Sequence, residues 1–314
     1  MLQINIILFF LYIFVLVKSA DYAVKYSHKI AKSLNLPDFI TSFFIVSFIS
    51  VIPEAAISII SAVKQTPQFG LGTLLGSTIA DLTFVFGLVS LFSYNGIKIK
   101  SIIINKNLIF LLILIFPFLL GLDGSYSHLD GIILVFIGIF FFLHLFIQAN
   151  LFKRNTNKIK IKNITLYFLI FIISIIFLLY SADFTVNLGV EIAKEIKIPI
   201  EILSLTIVSL GVCLPETIFS IRSARENLES LSIGDIFGTV IINSTIILGI
   251  MSIIHPFSFD TIIIYISGTA MIISSIILII FFKTEKTLTK KEGFYLVIFY
   301  IIYIIIQSIS NKIF

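Results

Sequence analysis

The sequence predicts an all-α integral membrane protein of ten transmembrane helices, arranged as two inverted repeats of five. Composition, the spacing of apolar runs and a self-similarity at one fixed offset predict it. Of 314 residues, 58% are hydrophobic and only 12% are charged, with a mean hydropathy of +1.12. That is more apolar surface than one water-soluble core can bury. A hydrocarbon layer about 30 Å thick takes about 20 apolar residues per helix, and the chain offers ten such runs between polar interruptions. The stretch "SADYAVKYSHKIAKSLNLP" from Ser19 returns as "SADFTVNLGVEIAKEIKIP" from Ser181, an offset of 162. At that same offset Pro53-Glu54 meets Pro215-Glu216, and Gly72, Gly76 and Gly87 meet Gly234, Gly238 and Gly249. Five spans per copy is an odd number, so the second copy enters the membrane from the opposite face, as in secondary transporters.

In order, the runs lie near 3–24, 39–63, 70–93, 103–121 and 129–148, then near 164–186, 201–223, 232–254, 259–282 and 293–310. The first has no small-residue cleavage site and leads straight into the repeated element, so it is expected to be a retained helix. Residues 1–148 form the first half around a repeat core at about 39–93. Residues 149–163 form a short basic linker, and 164–314 form the second half around a core at about 201–254. If both termini lie on one side, 17 Lys and Arg fall on the opposite side, among them Lys25, Lys29, Arg222, Arg225 and the linker cations. Four fall on the terminal side: Lys64, Lys194, Lys197 and Lys312. The positive-inside rule then puts both termini outside the cell. The net charge of +5 is explained by this asymmetry and by anionic lipid, and implies no nucleic-acid partner. Cys213 is the single cysteine, which excludes internal disulfides.

The chemistry sits in two motif pairs. At 100° per residue, Ser47, Ser50, Glu54, Ser58 and Ser61 fall within a stripe roughly 80° wide; Ser209, Val212, Glu216, Ser220 and Ser223 repeat it. Pro53 and Pro215 lack an amide hydrogen, which makes the carbonyls near Ile49 and Gly211 candidate cation ligands. For Ser58, Ser61, Ser220 and Ser223 a bond back to their own helix is an equal alternative. The next helix of each half reads "GLGTLLGSTIADLTFVFG" and "SIGDIFGTVIINSTIILG". Thr73, Ser77 and Asp81 lie four apart on one face, matched by Asp235, Thr239 and Asn243. A carboxylate at a helix centre costs about 2.5 to 3.5 kcal/mol on insertion scales, so its retention in both copies argues for function over duplication for stability alone. Glu54, Glu216, Asp81 and Asn243 would form an all-oxygen site without a His or Cys cluster. Calcium suits such ligands, taking about 6 to 8 oxygens at about 2.3 to 2.6 Å. Like charges crowded in a low dielectric need a divalent ion, several monovalent ions or protons, and that requirement is a physical basis for exchange.

These residues resemble the alpha repeats of the cation/calcium exchanger superfamily, most closely those of prokaryotic sodium/calcium exchangers, over both halves of the chain. The resemblance implies a central calcium site flanked by sodium sites, with alternating access by sliding of helices 1 and 6. It places Glu54 and Glu216 at the calcium-binding glutamates, and Asp81 and Asn243 at the other two central ligands. Ser47, Ser50, Ser77, Ser209 and Thr239 fall at sodium-binding or accessory positions. Family members commonly read Gly-Thr-Ser-Leu-Pro-Glu where this chain has "ISVIPE" and "GVCLPE". Ser50 keeps a hydroxyl, Val51, Val212 and Cys213 replace hydroxyl-bearing positions, and Thr239 stands for Ser. Gly72-Thr73 and Gly234-Asp235 stand where Gly-Asn is usual. These departures spare the calcium ligands and bear on sodium. The short linker 148–163 leaves no room for the large calcium-sensing insert of animal exchangers, which points to a prokaryotic cell membrane.

The resulting expectation is a secondary antiporter exchanging calcium for sodium, and no enzyme. It needs no cofactor beyond the transported ions, lipid as its surroundings and no obligate protein partner. The alternatives are a proton/divalent-cation antiporter of the same fold, a passive cation channel, which an inverted repeat disfavours, and an intramembrane aspartyl protease, for which Asp81 lacks a deep Asp partner. Asp21 and Asp183, each expected near a helix end, read as interfacial anchors. Asp235 reads as an access ligand or as a helix N-terminal partner. His28, His128, His144 and His255 show no metal spacing and read as structural.

Overall fold

The computed structural model describes residues 2–31, 46–94, 96–98, 107–149, 164–285 and 287–313. Within them the chain runs as α1 (Leu2–Ala31), a broken α2 (Ser47–Ser50 and Ile52–Val63), α3 (Pro67–Phe92), α4 (Asn107–Leu120) and α5 (His128–Ala149). It continues as α6 (Ile164–Glu195), α7 (Ile200–Arg225), α8 (Glu229–Ile254), α9 (Thr261–Glu285) and α10 (Lys290–Ile313). Among the described residues eight helices are long and apolar enough to cross a membrane, and Ile52–Val63 and Leu112–Asp123 are shorter apolar helices. The protein is an all-helical membrane protein.

Several expected ends move. α1 continues to Ala31 and α6 to Glu195, one to three turns past the apolar runs. Asp21 and Asp183 therefore lie inside helices and not near their ends, because polar and charged residues continue a helix that packs against a partner. Tyr12 of α1 stacks on Phe184 of α6 at 4.5 Å, while Ile4, Phe14, Ile176 and Tyr180 remain exposed on the outer faces. The segments 39–45 and 103–106 of two expected helices, and linker residues 150–163, lie outside the described residues.

Backbone irregularities recur at the offset seen in the sequence. α2 is interrupted at Val51 and α7 at Cys213; α3 carries a π-helical turn at Asp81–Val85 and α8 one at Ile242–Ile247. After α2, Gln65 adopts φ 58°, as does Asn227 after α7. Thr66 N–H returns to Ser61 O at 2.9 Å, as Leu228 N–H does to Ser223 O at 2.9 Å, so each helix closes with the same left-handed cap. Four two-residue strands, which the sequence reading did not expect, pair across the two halves. These are β1 (Ile97–Lys98) with β4 (Thr287–Leu288), and β2 (Ser125–Tyr126) with β3 (Phe257–Ser258).

α3 and α8 form the centre. From Phe69 to Ala80 every residue of α3 is buried, as is every residue from Leu231 to Ile241 of α8. A helix buried all round needs small residues where neighbouring backbones cross. At Gly72 a Cβ would strike Ser204 Oγ and the Glu201 carbonyl of α7; at Gly76 it would strike the Leu205 carbonyl and Ser209.

Candidate cation site

The break in each of α2 and α7 places an acid. Val51 N–H returns to Ser47 O and Cys213 N–H to Ser209 O, both at 3.1 Å, and the helix resumes with Pro53 or Pro215 in its first turn. Proline suits that position because its ring presets φ and it lacks the N–H that would go unpaired there. Glu54 and Glu216 follow in the same first turn, where the partial positive charge of a helix N-terminus favours a carboxylate.

α3 and α8 bring the remaining groups. Thr73, Ser77, Asp81, Asp235, Thr239 and Asn243 are all 0% exposed. Ser47 Oγ lies 3.2 Å from the carbonyl oxygens of both Gly234 and Asp235, which ties α2 to α8. Ser50 Oγ donates to Asp235 Oδ1 at 2.8 Å and lies 3.2 Å from Thr239 Oγ1. Asn243 Nδ2 donates to Ser77 Oγ at 3.3 Å, joining α8 to α3. Asp81 faces Glu216 and Glu54, and Thr239 faces Glu216.

Glu54, Cys213 and Glu216 each present a ligating atom within 4.8 Å of the others. Both carboxylate oxygens of Glu54, Asp81 and Glu216, with Asp235 Oδ2 and Asn243 Oδ1, are buried and, among the described residues, have no hydrogen-bond partner. Among the described residues the ion pair Lys64–Asp183 lies elsewhere, and no Lys or Arg pairs with these acids. Leaving isolated carboxylates ionised away from water is prohibitive unless they are paired or coordinate a metal. The arrangement can do one thing chemically: hold hard cations, or protons, between acids contributed by both copies of the motif.

A thiol stands beside the expected oxygen ligands, because Cys213 comes within 4.8 Å of both glutamates. Its thiol also approaches Ser77 O at 3.8 Å. The sequence signal was the alignment of Cys213 with Val51 immediately before each Leu/Ile-Pro-Glu, and Glu216 lies three residues on along the same helix; proximity to Glu54 came only from the packing of α7 on α2. The serines divide. Ser209 donates to Leu205 O, Ser77 to Leu74 O at 3.2 Å and Ser61 to Ser58 O at 2.8 Å, all within their own helices. Ser58 instead crosses to Gly70 O of α3 at 3.4 Å. Ser220 Oγ has no hydrogen-bond partner among the described residues. Among the described residues no histidine joins the metal-ligating group.

The two ends of the bundle differ. Lys64 Nζ of α2 binds Asp183 Oδ1 and Asn187 Oδ1 of α6, each at 2.7 Å. At the offset of 162 their counterparts are Glu226, Asp21 and Lys25. Those three instead line a cavity of about 260 Å³ between α1 and α7, together with Arg222 and Ser223.

A family profile described as sodium/calcium exchanger protein matches residues 4–147 and 166–309. The chain is 24% identical over 354 residues to the sodium/calcium exchanger MaX1 of Methanosarcina acetivorans, covering 98% of this chain and 99% of the relative. It is 25% identical over 307 residues to an uncharacterized membrane protein of Methanocaldococcus jannaschii, covering 96% and 97%. Its fold matches the sodium-calcium exchanger NCX_Mj soaked with sodium and strontium at a TM-score of 0.71 and 23% identity, over 97% of this chain and 99% of that one. The agreement spans both halves, including both Pro-Glu helices and both buried helices beside them, and the chain belongs to the sodium/calcium exchanger protein family.

Proposed function

We propose that the protein exchanges calcium for sodium across a prokaryotic cell membrane by alternating access, expelling calcium against inward sodium, with both termini outside. Ten spans in two inverted halves, 1–148 and 164–314, would put the site at the midplane. In this reading Glu54, Glu216, Asp81 and Asn243 hold calcium, while Ser47, Ser50, Ser77, Ser209 and Thr239 serve sodium or support the acids. One observation carries it: three buried carboxylates contributed by both motif copies converge, and among the described residues none of their oxygens has a partner. The recurrence of the helix breaks and caps at an offset of 162 supports the duplication, and the relative named a sodium/calcium exchanger supports the ions. A proton/divalent-cation antiporter is the second reading, favoured by a thiol standing beside both glutamates where the family carries a hydroxyl.

The test is radioactive calcium uptake into sodium-loaded proteoliposomes diluted into sodium-free buffer, beside a matched set driven only by a pH gradient. Uptake requiring the outward sodium gradient supports the proposal. Uptake driven by protons alone moves the assignment to the second reading, and uptake with neither gradient overturns both in favour of a leak.

A further inference from the structure

α10 lies outside both motif pairs, yet it packs on the motif helix α3. Gly87 of α3 and Gly293 of α10 meet at their backbones, since a Cβ on either would strike the other's carbonyl oxygen. The two helices are antiparallel there: residue 84, before Gly87, meets residue 300, after Gly293, through the Phe84 and Tyr300 rings at 5.4 Å. Asp81 lies six residues back from Gly87, about 9 Å along α3, and Tyr300 seven residues on from Gly293, about 10 Å along α10. The two are therefore level. Tyr300 is 3% exposed, and among the described residues its hydroxyl completes no hydrogen bond. Cys213, Tyr303 and Asp81 act on it electrostatically, and Ser209 is in position to pair with it. The Ser209 proton is already committed to the Leu205 carbonyl, which leaves that serine's oxygen turned to acceptance. Tyr303, one turn on, differs in having a partner, Ser267 Oγ at 2.9 Å.

The two halves diverge at this point. Gly131 and Gly249 repeat the close approach of Gly293 and Gly87, but the position 162 residues before Tyr300 is Gly138, which packs against Thr245 and Ile246. The phenol is thus added to one side only, and it is the side on which α7 offers Val212 and Cys213 rather than oxygen donors. A buried phenol oxygen that accepts nothing leaves a polar atom unsatisfied at a cost of about 1–3 kcal/mol, so its persistence near a carboxylate calls for a ligand.

We propose that Tyr300 supplies, from α10, a neutral oxygen ligand for a sodium-class monovalent cation held between Asp81 and Ser209. The proposal rests on the exchange function above and names a ligand within it. A neutral phenol adds an oxygen without adding charge, which suits a monovalent ion beside carboxylates that already supply the charge.

The experiment compares the intact chain with Tyr300→Phe and, as a control that removes a satisfied hydroxyl from the same helix, Tyr303→Phe. Two readouts are taken: sodium- and calcium-dependent thermal stabilisation of the purified protein, and calcium/calcium self-exchange in proteoliposomes. In Tyr300→Phe the sodium concentration giving half-maximal stabilisation should rise about fivefold or more, the scale of one lost oxygen contact. Its calcium stabilisation and self-exchange should stay within about twofold of the parent, with Tyr303→Phe unchanged in all three. An unaltered sodium response in Tyr300→Phe overturns the proposal, as does an equal loss for sodium and calcium, which would mark a packing role. Absence of sodium stabilisation in the parent overturns it too. Failure of sodium-driven transport with intact sodium stabilisation would instead overturn the exchange reading and leave this assignment standing.

Discussion

Glu54 and Glu216 answer, at the scale of single residues, why a chain this apolar keeps acids inside it. Among the described residues neither has a salt-bridge or hydrogen-bond partner that could make its role structural, so removing charge from either should spare folding and remove function. Glu54→Gln and Glu216→Gln are each expected to lower calcium uptake by about a hundredfold or more. The loss of an interaction to a charged group, up to about 3 kcal/mol, is of that size. Insertion yield and size-exclusion profile should stay unchanged, and a double Gln variant that still transports would sink the assignment. Cys213 makes a subtler test. Its thiol lies beside both glutamates, and Cys213→Ser returns a hard oxygen to that place. Sodium dependence of calcium uptake should strengthen several-fold, by about 3- to 10-fold on the energy scale of one ligand. An unchanged profile would show that this position holds no ion.

Individual helices depend on how closely their backbones meet. Gly76 brings α3 against the Leu205 carbonyl of α7, an atom that cannot move aside without disturbing that helix. Gly76→Ala should therefore cost about 1–3 kcal/mol in overpacking, read as a lowered melting temperature in detergent. Gly211→Ala is the control, because its Cβ would meet only Ile13 Cγ2, at the end of a side chain that can turn away. Equal effects at the two sites would show that the close approach of α3 and α7 does not govern stability. The sequence made these helices legible because buried glycines recurred in both copies. Their partners were not legible, since the same pattern fits any tightly packed membrane helix.

Across the whole molecule the two ends are in different states. Lys64 joins α2 to α6 at one end, while its counterpart Glu226 lines an open cavity at the other. The pair is part-exposed, 29% and 43%, so breaking it with Lys64→Ala should change stability by no more than about 1 kcal/mol. That is still enough to shift a two-state opening equilibrium about fivefold. Cysteine accessibility reads the asymmetry directly. Ser223 lines the cavity, whereas Ser61, 162 residues earlier, is 0% exposed and native Cys213 is 1% exposed. Without calcium, Ser223→Cys should react with a water-soluble thiol reagent at least about tenfold faster than Ser61→Cys, a population difference of roughly 1.4 kcal/mol. Lys64→Ala should narrow that ratio. Equal rates in the parent background would show that the two ends open alike.

The sequence by itself determined the membrane character, the duplication and the identity of the buried acids. Hydropathy, an offset of 162 and a carboxylate among isoleucines are all properties of order along one chain. Only the tertiary structure decided what those acids meet. Cys213 joins Glu54 because α2 and α7 cross where each is broken. Ser58 bonds across to α3 rather than back to its own helix. Tyr300 comes level with Asp81 because two glycines let α10 approach α3. The physical reason is that a transmembrane helix satisfies its own backbone within itself, which leaves its existence readable from local composition. Which face meets which neighbour depends instead on van der Waals fit between helices distant in sequence, and that fit is set only when the whole bundle has packed.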